Sequence, residues 1–366
     1  MELPIQISAS QYAYEILDLY QHYVRYRNFG KQKYTEYFNV LSNGYKCLEY
    51  YRTDDICAVE DSVMFIDSLK EGWHVLYRSD EWPKDKHYFI LSSADWDSKD
   101  PYFGLKINYT LLYFPYFLFE TVRTFTSFKH ELFFANVTYN FEYPKQLNFC
   151  SFSASVKPHR DYLINKILPQ CNPNRYAVKY AGQNFGVDIE HLDIVQTIDT
   201  PDTDHYHTQA NKMFESTLGK ELRVESSQHM PIDIFNISYY TIIVESIYIG
   251  NVFFPTEKIF KALIAGIPFV CIATQNFLQR VRDLGFRTYN ELWDESYDTI
   301  EDDEHRFKSI GELVIQLENF DWNANRHKLI EIANHNKLQM THTSEIFANC
   351  FRKMEYEIEQ YRNSNI

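Results

Sequence analysis

Glycine is scarce, 11 in 366 residues, and no two glycines lie two positions apart. That spacing excludes the GxGxxG dinucleotide turn, and GxxxxGK is missing too, so nicotinamide oxidoreductases and P-loop kinases are not expected. Neither a GxSxG nucleophile elbow nor an HExxH zinc pair occurs. The six cysteines (Cys47, Cys57, Cys150, Cys171, Cys271, Cys350) form no CxxC pair and no metal-ligand spacing. They read as reduced thiols in a cytoplasmic protein without structural zinc. Positive charge is in deficit, 36 Lys plus Arg against 50 Asp plus Glu, and the resulting formal charge of −14 disfavours nucleic acid as a partner. The N-terminus has no basic stretch leading into an apolar run, and Leu111 to Phe119 is too short to cross a bilayer. Secretion and membrane anchoring are therefore not expected, and the Asn-x-Ser/Thr triplets at Asn108, Asn136 and Asn236 are chance matches.

What is present is a chain of two-domain length with ordinary hydrophobic and charged fractions. Its 29 Tyr and 28 Phe fit a coding bias toward Phe, Tyr, Ile and Asn before they suggest carbohydrate stacking. Residues 11 to 26 place Tyr12, Ile16, Tyr20, Tyr23 and Val24 at helical spacing, which predicts an amphipathic helix. From 55 to 142 the runs VMFID, HVLYR, HYFILSS, LLYFPYFLF and LFFANVTYNFEY predict strands broken by Gly, Pro and Asp. After Tyr143-Pro144-Lys145 the pattern alternates. QLNFCSFSAS and RYAVKYAG predict strands around the helix PHRDYLINKIL, which Pro158 opens, and NISYYTIIVES predicts another strand. Thr256 caps EKIFKALIAG, Gly266 closes it, Pro268 leads into a buried strand, and QNFLQRVRDLGF is a helix closed by Gly285. Strand and helix in alternation imply a parallel sheet. The acids between Asp294 and Glu304 read as a solvated loop, and the last fifty residues as helical.

The chemical signal lies between 236 and 285. A strand ends in Glu245-Ser246, and Pro255-Thr256-Glu257-Lys258 opens a helix shortly after it. In an open α/β sheet ligands sit beyond the strand carboxyl ends, where a helix N-terminus offers free N–H groups to an anion. Lys258 would add charge to a diphosphate, and Glu257 would accept from ribose hydroxyls. A capped helix with an acid in its first turn is the ordinary alternative. Ser151-Phe152-Ser153 and His159-Arg160 stand at a second strand-to-helix junction, from which Arg160 would reach the same diphosphate, unless it pairs with Asp161.

These residues resemble the fucosyltransferases of glycosyltransferase family 10, whose hallmark is a Glu-Asn pair before a Tyr-Val-Thr-Glu-Lys helix start, with Ala-Gly ahead of a Pro strand. Here that reads Glu245-Ser246, Phe254-Pro255-Thr256-Glu257-Lys258 and Ala265-Gly266-Ile267-Pro268, with FCSFSASVKPHRDYL resembling the segment that carries the diphosphate arginine. The resemblance covers 147 to 290. It implies an α/β chain of GT-B-like architecture, two Rossmann-like domains facing a cleft with a helical tail. The expected division is an acceptor-side domain over 1–145, a nucleotide-sugar-binding domain over 146–345 and a helix over 346–366. It implies an inverting, metal-independent hexosyltransferase that uses a nucleotide sugar as co-substrate, a GDP-sugar favoured and fucose among these, with a glycan or other hydroxyl acceptor. Arg160 and Lys258 would stabilise the leaving diphosphate, and Glu245 would contact or position the sugar. Ser151, Ser153, Ser246, Phe254, Thr256 and Glu257 would complete the donor site. Ser246 stands for the family's Asn and Phe254 for its Tyr, and the Glu245 to Lys258 interval is longer than the family's; these departures leave the sugar open.

Transfer also needs a base. The family places it in the N-terminal domain, where HYFILSSADWD delivers Asp95 and Asp97 at a strand end; Asp95 is the first choice and Glu120 the second. The triplets Asp95-Trp96-Asp97 and Asp202-Thr203-Asp204, with His205 and His207, raise a metal-bound donor as a lesser alternative. A non-catalytic carbohydrate-binding or structural protein on a degenerate GT-B fold is the alternative of a different class, and a DNA-modifying transferase would need a basic stripe. The aromatic load and GFRTYNELWDESYD are similar to proteins of large DNA viruses and phages, which would make the cytoplasm that of a host.

Overall fold

A computed structural model describes residues 6–8, 63–68, 80, 84–85, 87–96, 105–126, 138–153, 155–188 and 230–364. The chain has mixed α/β content and divides into two compact units. The first holds Met1–Phe117, Gly250–Phe254 and His342–Ile366; the second holds Leu118–Ile249 and Pro255–Thr341. The predicted helix over 11–26, the run HVLYR, Asp97, the triplet Asp202-Thr203-Asp204, His205 and His207 lie outside the described residues.

The first unit is built on a sheet of β1 (Gln6–Ser8), β2 (Val63–Ser68), β3 (His87–Ser92) and β4 (Asn108–Tyr113), in that order and all parallel. β3 is buried along almost its whole length, from Tyr88 to Ser92, as a strand covered on both faces should be. LLYFPYFLF does not run on as a strand. β4 ends at Tyr113, and α1 (Tyr116–Thr126) follows directly after Pro115. Proline lacks the N–H a continuing strand would need, and its fixed φ suits a helix start. The last helix, α8 (Thr343–Ser364), stacks Phe347 and Phe351 on Phe114 at 5.4 Å and Tyr361 on His87 at 4.1 Å.

The second unit carries a five-stranded sheet in the order β7-β6-β5-β8-β9. Its strands are β5 (Leu147–Ser153), β6 (Tyr176–Tyr180), β7 (Gln183–Gly186), β8 (Ser238–Val244) and β9 (Phe269–Ile272). Every pairing is parallel except β6 with β7. That hairpin turns through Ala181 at φ 49° and Gly182 at φ 81°. Gly186 is required at its end, because a Cβ there would lie 2.3 Å from the Tyr176 carbonyl oxygen. LFFANVTYNFEY is irregular over its described part, where Tyr139 donates its hydroxyl to the Ser238 carbonyl at 2.9 Å.

α2 (Pro158–Tyr162) starts at Pro158, as the sequence predicts, but stops after five residues. A wide turn, Leu163–Ile167, follows it, because Pro169 has no N–H to give and its ring would clash with the carbonyl of Asn165. α3 (Ile232–Ile237) leads into β8. α4 (Glu257–Ala265) has the predicted ends, with the Thr256 hydroxyl accepting from the Lys258 N–H and Gly266 closing at φ 80°. α5 (Phe277–Asp283), α6 (Asp303–Leu317) and α7 (Arg326–Thr341) complete the unit.

The acidic segment after Trp293 is not a solvated loop throughout. Glu295 and Asp298 are 6% and 2% exposed. Glu295 accepts from the Thr288 hydroxyl at 2.6 Å, the Tyr289 N–H at 2.8 Å and Arg282 at 3.1 Å. Asp298 accepts from the N–H groups of Leu278 and Gln279 at 2.8 and 2.9 Å. Asp298 meets the free donors of the first turn of α5, and Glu295 those of Thr288, Tyr289 and Arg282, roles that composition alone could not separate from solvation.

Candidate functional site

The strand order fixes where a ligand would sit in the second unit. From β5 the chain crosses to β6 on one side, whereas β8 crosses to β9 on the other, so the order reverses between β5 and β8. Beyond the carboxyl ends of such a pair the two crossovers part and leave a crevice. Ser153 ends β5, and Glu245 follows the last residue of β8.

Two side chains from the β5 crossover reach across to the β8 crossover. Lys157 donates to the Ser246 carbonyl at 2.9 Å, and the Nε2 of His159 meets the Glu245 carbonyl at 2.7 Å. Since a carbonyl can only accept, Nε2 carries the proton of the neutral ring and Nδ1 is left as a lone pair. The His159 ring is 1% exposed and packs on Tyr248 at 4.3 Å. Tyr248 is itself held through its carbonyl by Arg306 at 2.7 Å. That arginine, 1% exposed, also donates to the carbonyls of Ala273 and Ile300 and to Asp303, and so ties β9 and α6 to the crevice wall.

His159 reports the charge around it. Burial lowers its pKa to about 4, the bond to the Glu245 carbonyl opposes this, and the positive charges of Arg160, Lys157 and Lys258 lower it further. Arg160 and Lys258, almost a hundred positions apart in the chain, thus act on the same buried ring. The Nη1 of Arg160 donates to the Ser155 carbonyl at 2.9 Å and to the Ser155 hydroxyl at 2.5 Å, while Asp161 accepts from the Tyr180 hydroxyl at 2.6 Å.

At the start of α4 the polar groups are tightly interlocked. The Thr256 hydroxyl donates to Glu245 Oε2 at 2.5 Å, and the Thr256 N–H donates to Oε1 at 3.2 Å. Lys258 brings Nζ to 3.0 Å from the same hydroxyl and 3.4 Å from Glu257 Oε1. Glu245 is fully buried, and burial raises its pKa, with Lys258 and the Thr256 bonds working against the rise. Burial pushes Glu257 the same way, but Lys258 and Lys261 outweigh it and hold its carboxyl below the ordinary value. The Lys258 and Glu257 side chains are 21% and 17% exposed, so both present atoms to solvent.

The remaining sequence-nominated residues divide. Ser151 donates to the Ile242 carbonyl at 2.7 Å inside the sheet. Ser153, at the strand end, has a buried hydroxyl with no hydrogen-bond partner among the described residues. Ser246 is half-buried and gives its carbonyl to Lys157. Phe254 belongs to the first unit, 1% exposed and edge-on to Phe117 at 5.6 Å. Asp95 also belongs to the first unit, where its backbone exchanges two hydrogen bonds with Phe253 at 2.9 and 2.8 Å just past the end of β3. Burial raises the Cys350 thiol of α8 to about 12, and Asp95 adds to this against the pull of Lys353. Glu120 lies within α1. No group of three or more His, Cys, Asp or Glu able to hold a metal occurs among the described residues, and none of their helices is long and apolar enough to cross a membrane.

Sequence reasoning missed Lys157 and the role of His159. The signal was a basic residue directly before the proline that opens a helix, which places its side chain at the strand-end crevice. No protein-family model matches the chain, and no curated protein matches it either.

Proposed function

We propose that the chain is a fucosyltransferase-like glycosyltransferase of GT-B type. On this reading the second unit binds a nucleoside diphosphate sugar, GDP-fucose favoured, and the sugar passes with inversion and without a metal to a hydroxyl of a glycan or other acceptor. One observation carries the reading: where the strand order reverses, Lys157 and His159 reach from the β5 crossover to the Ser246 and Glu245 carbonyls, and the charges of Arg160, Lys157 and Lys258 all bear on that buried ring. Such a set suits a diphosphate, which leaves with developing negative charge and is stabilised by cations already in place. Arg160 and Lys258 receive that charge, and Ser153 offers its hydroxyl to a phosphate oxygen. Glu257, held ionised by its lysines, takes the ribose hydroxyls. Asp95 of the first unit is the proposed base for the acceptor.

A second reading is favoured by the internal bonds of Ser151, Glu245 and Thr256, which already serve the fold. It is a protein that binds a nucleotide sugar or glycan without transferring it. Donor hydrolysis separates the two. The enzyme releases nucleoside diphosphate slowly from its donor even without acceptor, and Lys258→Ala reduces that release by at least about tenfold, the loss of one charged donor to the leaving group. Binding without release, seen as a rise in melting temperature with nucleotide sugars, supports the binding protein. If no nucleotide or nucleotide sugar moves the melting temperature, the transferase reading fails and the glycan-binding protein remains, which a melting-temperature rise with glycans then tests.

A further inference from the structure

His159 is the least explained group of the crevice. Its ring is 1% exposed, Nε2 is committed to the Glu245 carbonyl, and Nδ1 has no hydrogen-bond partner among the described residues. The charged groups that act on it are Lys157 and Arg160 from its own crossover and Lys258 from α4. From the β8 crossover it meets a carbonyl and the Tyr248 ring, both uncharged. The nearby carboxylates are engaged elsewhere, Glu245 with Thr256 and Glu257 with Lys258. An anion that reached the buried Nδ1 would meet a lone pair, which repels it; a proton there turns the same atom into a charged donor.

We propose that the crevice is a proton-coupled oxyanion site: a diphosphate-like anion bound among Lys157, Arg160 and Lys258 brings one proton from solvent onto Nδ1 of His159, which then donates to it. One N–H bond forms, and the buffer supplies the proton. Burial first, and the cations after it, hold His159 neutral; the anion offsets the cations, so anion and proton each favour the other, and by reciprocity the anion binds more tightly as the pH falls. This rests on the anion-binding part of the reading above and adds the proton to it.

Sulfate is the probe, because it does not titrate between about pH 5 and 8, so any proton taken up belongs to the protein. Calorimetry of sulfate binding near pH 5.5, in two cationic buffers of different ionisation enthalpy, gives the number of protons bound. Uptake approaching one proton is expected, with affinity at least about tenfold higher near pH 5 than near pH 7.5. His159→Gln keeps a donor for the Glu245 carbonyl and lacks Nδ1; it should bind sulfate with less than about threefold change over that range. Sulfate binding without proton uptake by the unaltered protein overturns the coupling and leaves the anion site standing. If neither sulfate nor GDP binds, the site itself is overturned.

Discussion

Thr256 is the residue on which the candidate site turns. Its hydroxyl donates to a buried carboxylate while accepting from the first turn of α4 and from the Lys258 ammonium. The cap was legible in the sequence, because Thr before Glu-Lys and an apolar run is a helix-start pattern. Glu245 as the cap's partner was not, since burial depends on the strand and helix around it. Thr256→Ala removes the cap, at about 1 kcal/mol, and takes the hydroxyl donor from the buried Glu245 Oε2 while the backbone N–H to Oε1 stays, so a total of roughly 2–4 kcal/mol is expected. Thr256→Ser keeps both roles and should lose less than about 1 kcal/mol. Urea titration of the two variants checks this, and equal losses would show that the hydroxyl is not what matters.

Among the elements, α5 shows how far a helix can depend on a distant segment. Its own N-cap, Asn276, makes no side-chain cap bond and sits at φ 58°. Asp298 supplies the missing acceptors, so Asp298→Ala should destabilise the second unit by roughly 1–3 kcal/mol, read as a lower urea midpoint with an unchanged slope. The helix could be read from QNFLQRVRDLGF, but its cap could not, because an acid in an acidic run carries no local mark of burial. Glu295 beside it adds a pH dependence. Burial raises its pKa from an ordinary 4.5 to about 7, while its bonds with Thr288, the Tyr289 N–H and Arg282 oppose the rise. Between those two values the folded state keeps a proton that the unfolded state has released. Stability from this group therefore falls as the pH rises from 4.5 to 7, and is flat above. Melting curves of Glu295→Gln and the parent chain, compared across this window, should converge in slope only above pH 7; parallel curves throughout would remove Glu295 as the source.

At the scale of the whole molecule, each unit draws on segments far apart in the chain, and this was the least legible feature. Alternation of strand and helix announced the largely parallel sheet of the second unit, and Gly266 and Gly285 marked helix ends where the backbone turns left-handed. Nothing local pairs Phe347 and Phe351 with Phe114, because a stacking contact across most of a chain leaves no periodic trace near either partner. The consequence is a test of independence. Phe351 is 2% exposed and Phe114 fully buried. Phe351→Ala opens a cavity against that ring and should cost about 3–5 kcal/mol. If the units unfold separately, the loss belongs to the first one alone. Amides of β3 and β4 should then exchange with deuterium on the order of a hundredfold faster or more, as a loss of that size allows. Those of β5, β8 and β9 should keep their protection, since they belong to the second unit. Equal acceleration in both sheets would instead show one cooperative structure, in which the C-terminal helix supports the β5–β8 crevice as much as the sheet it touches.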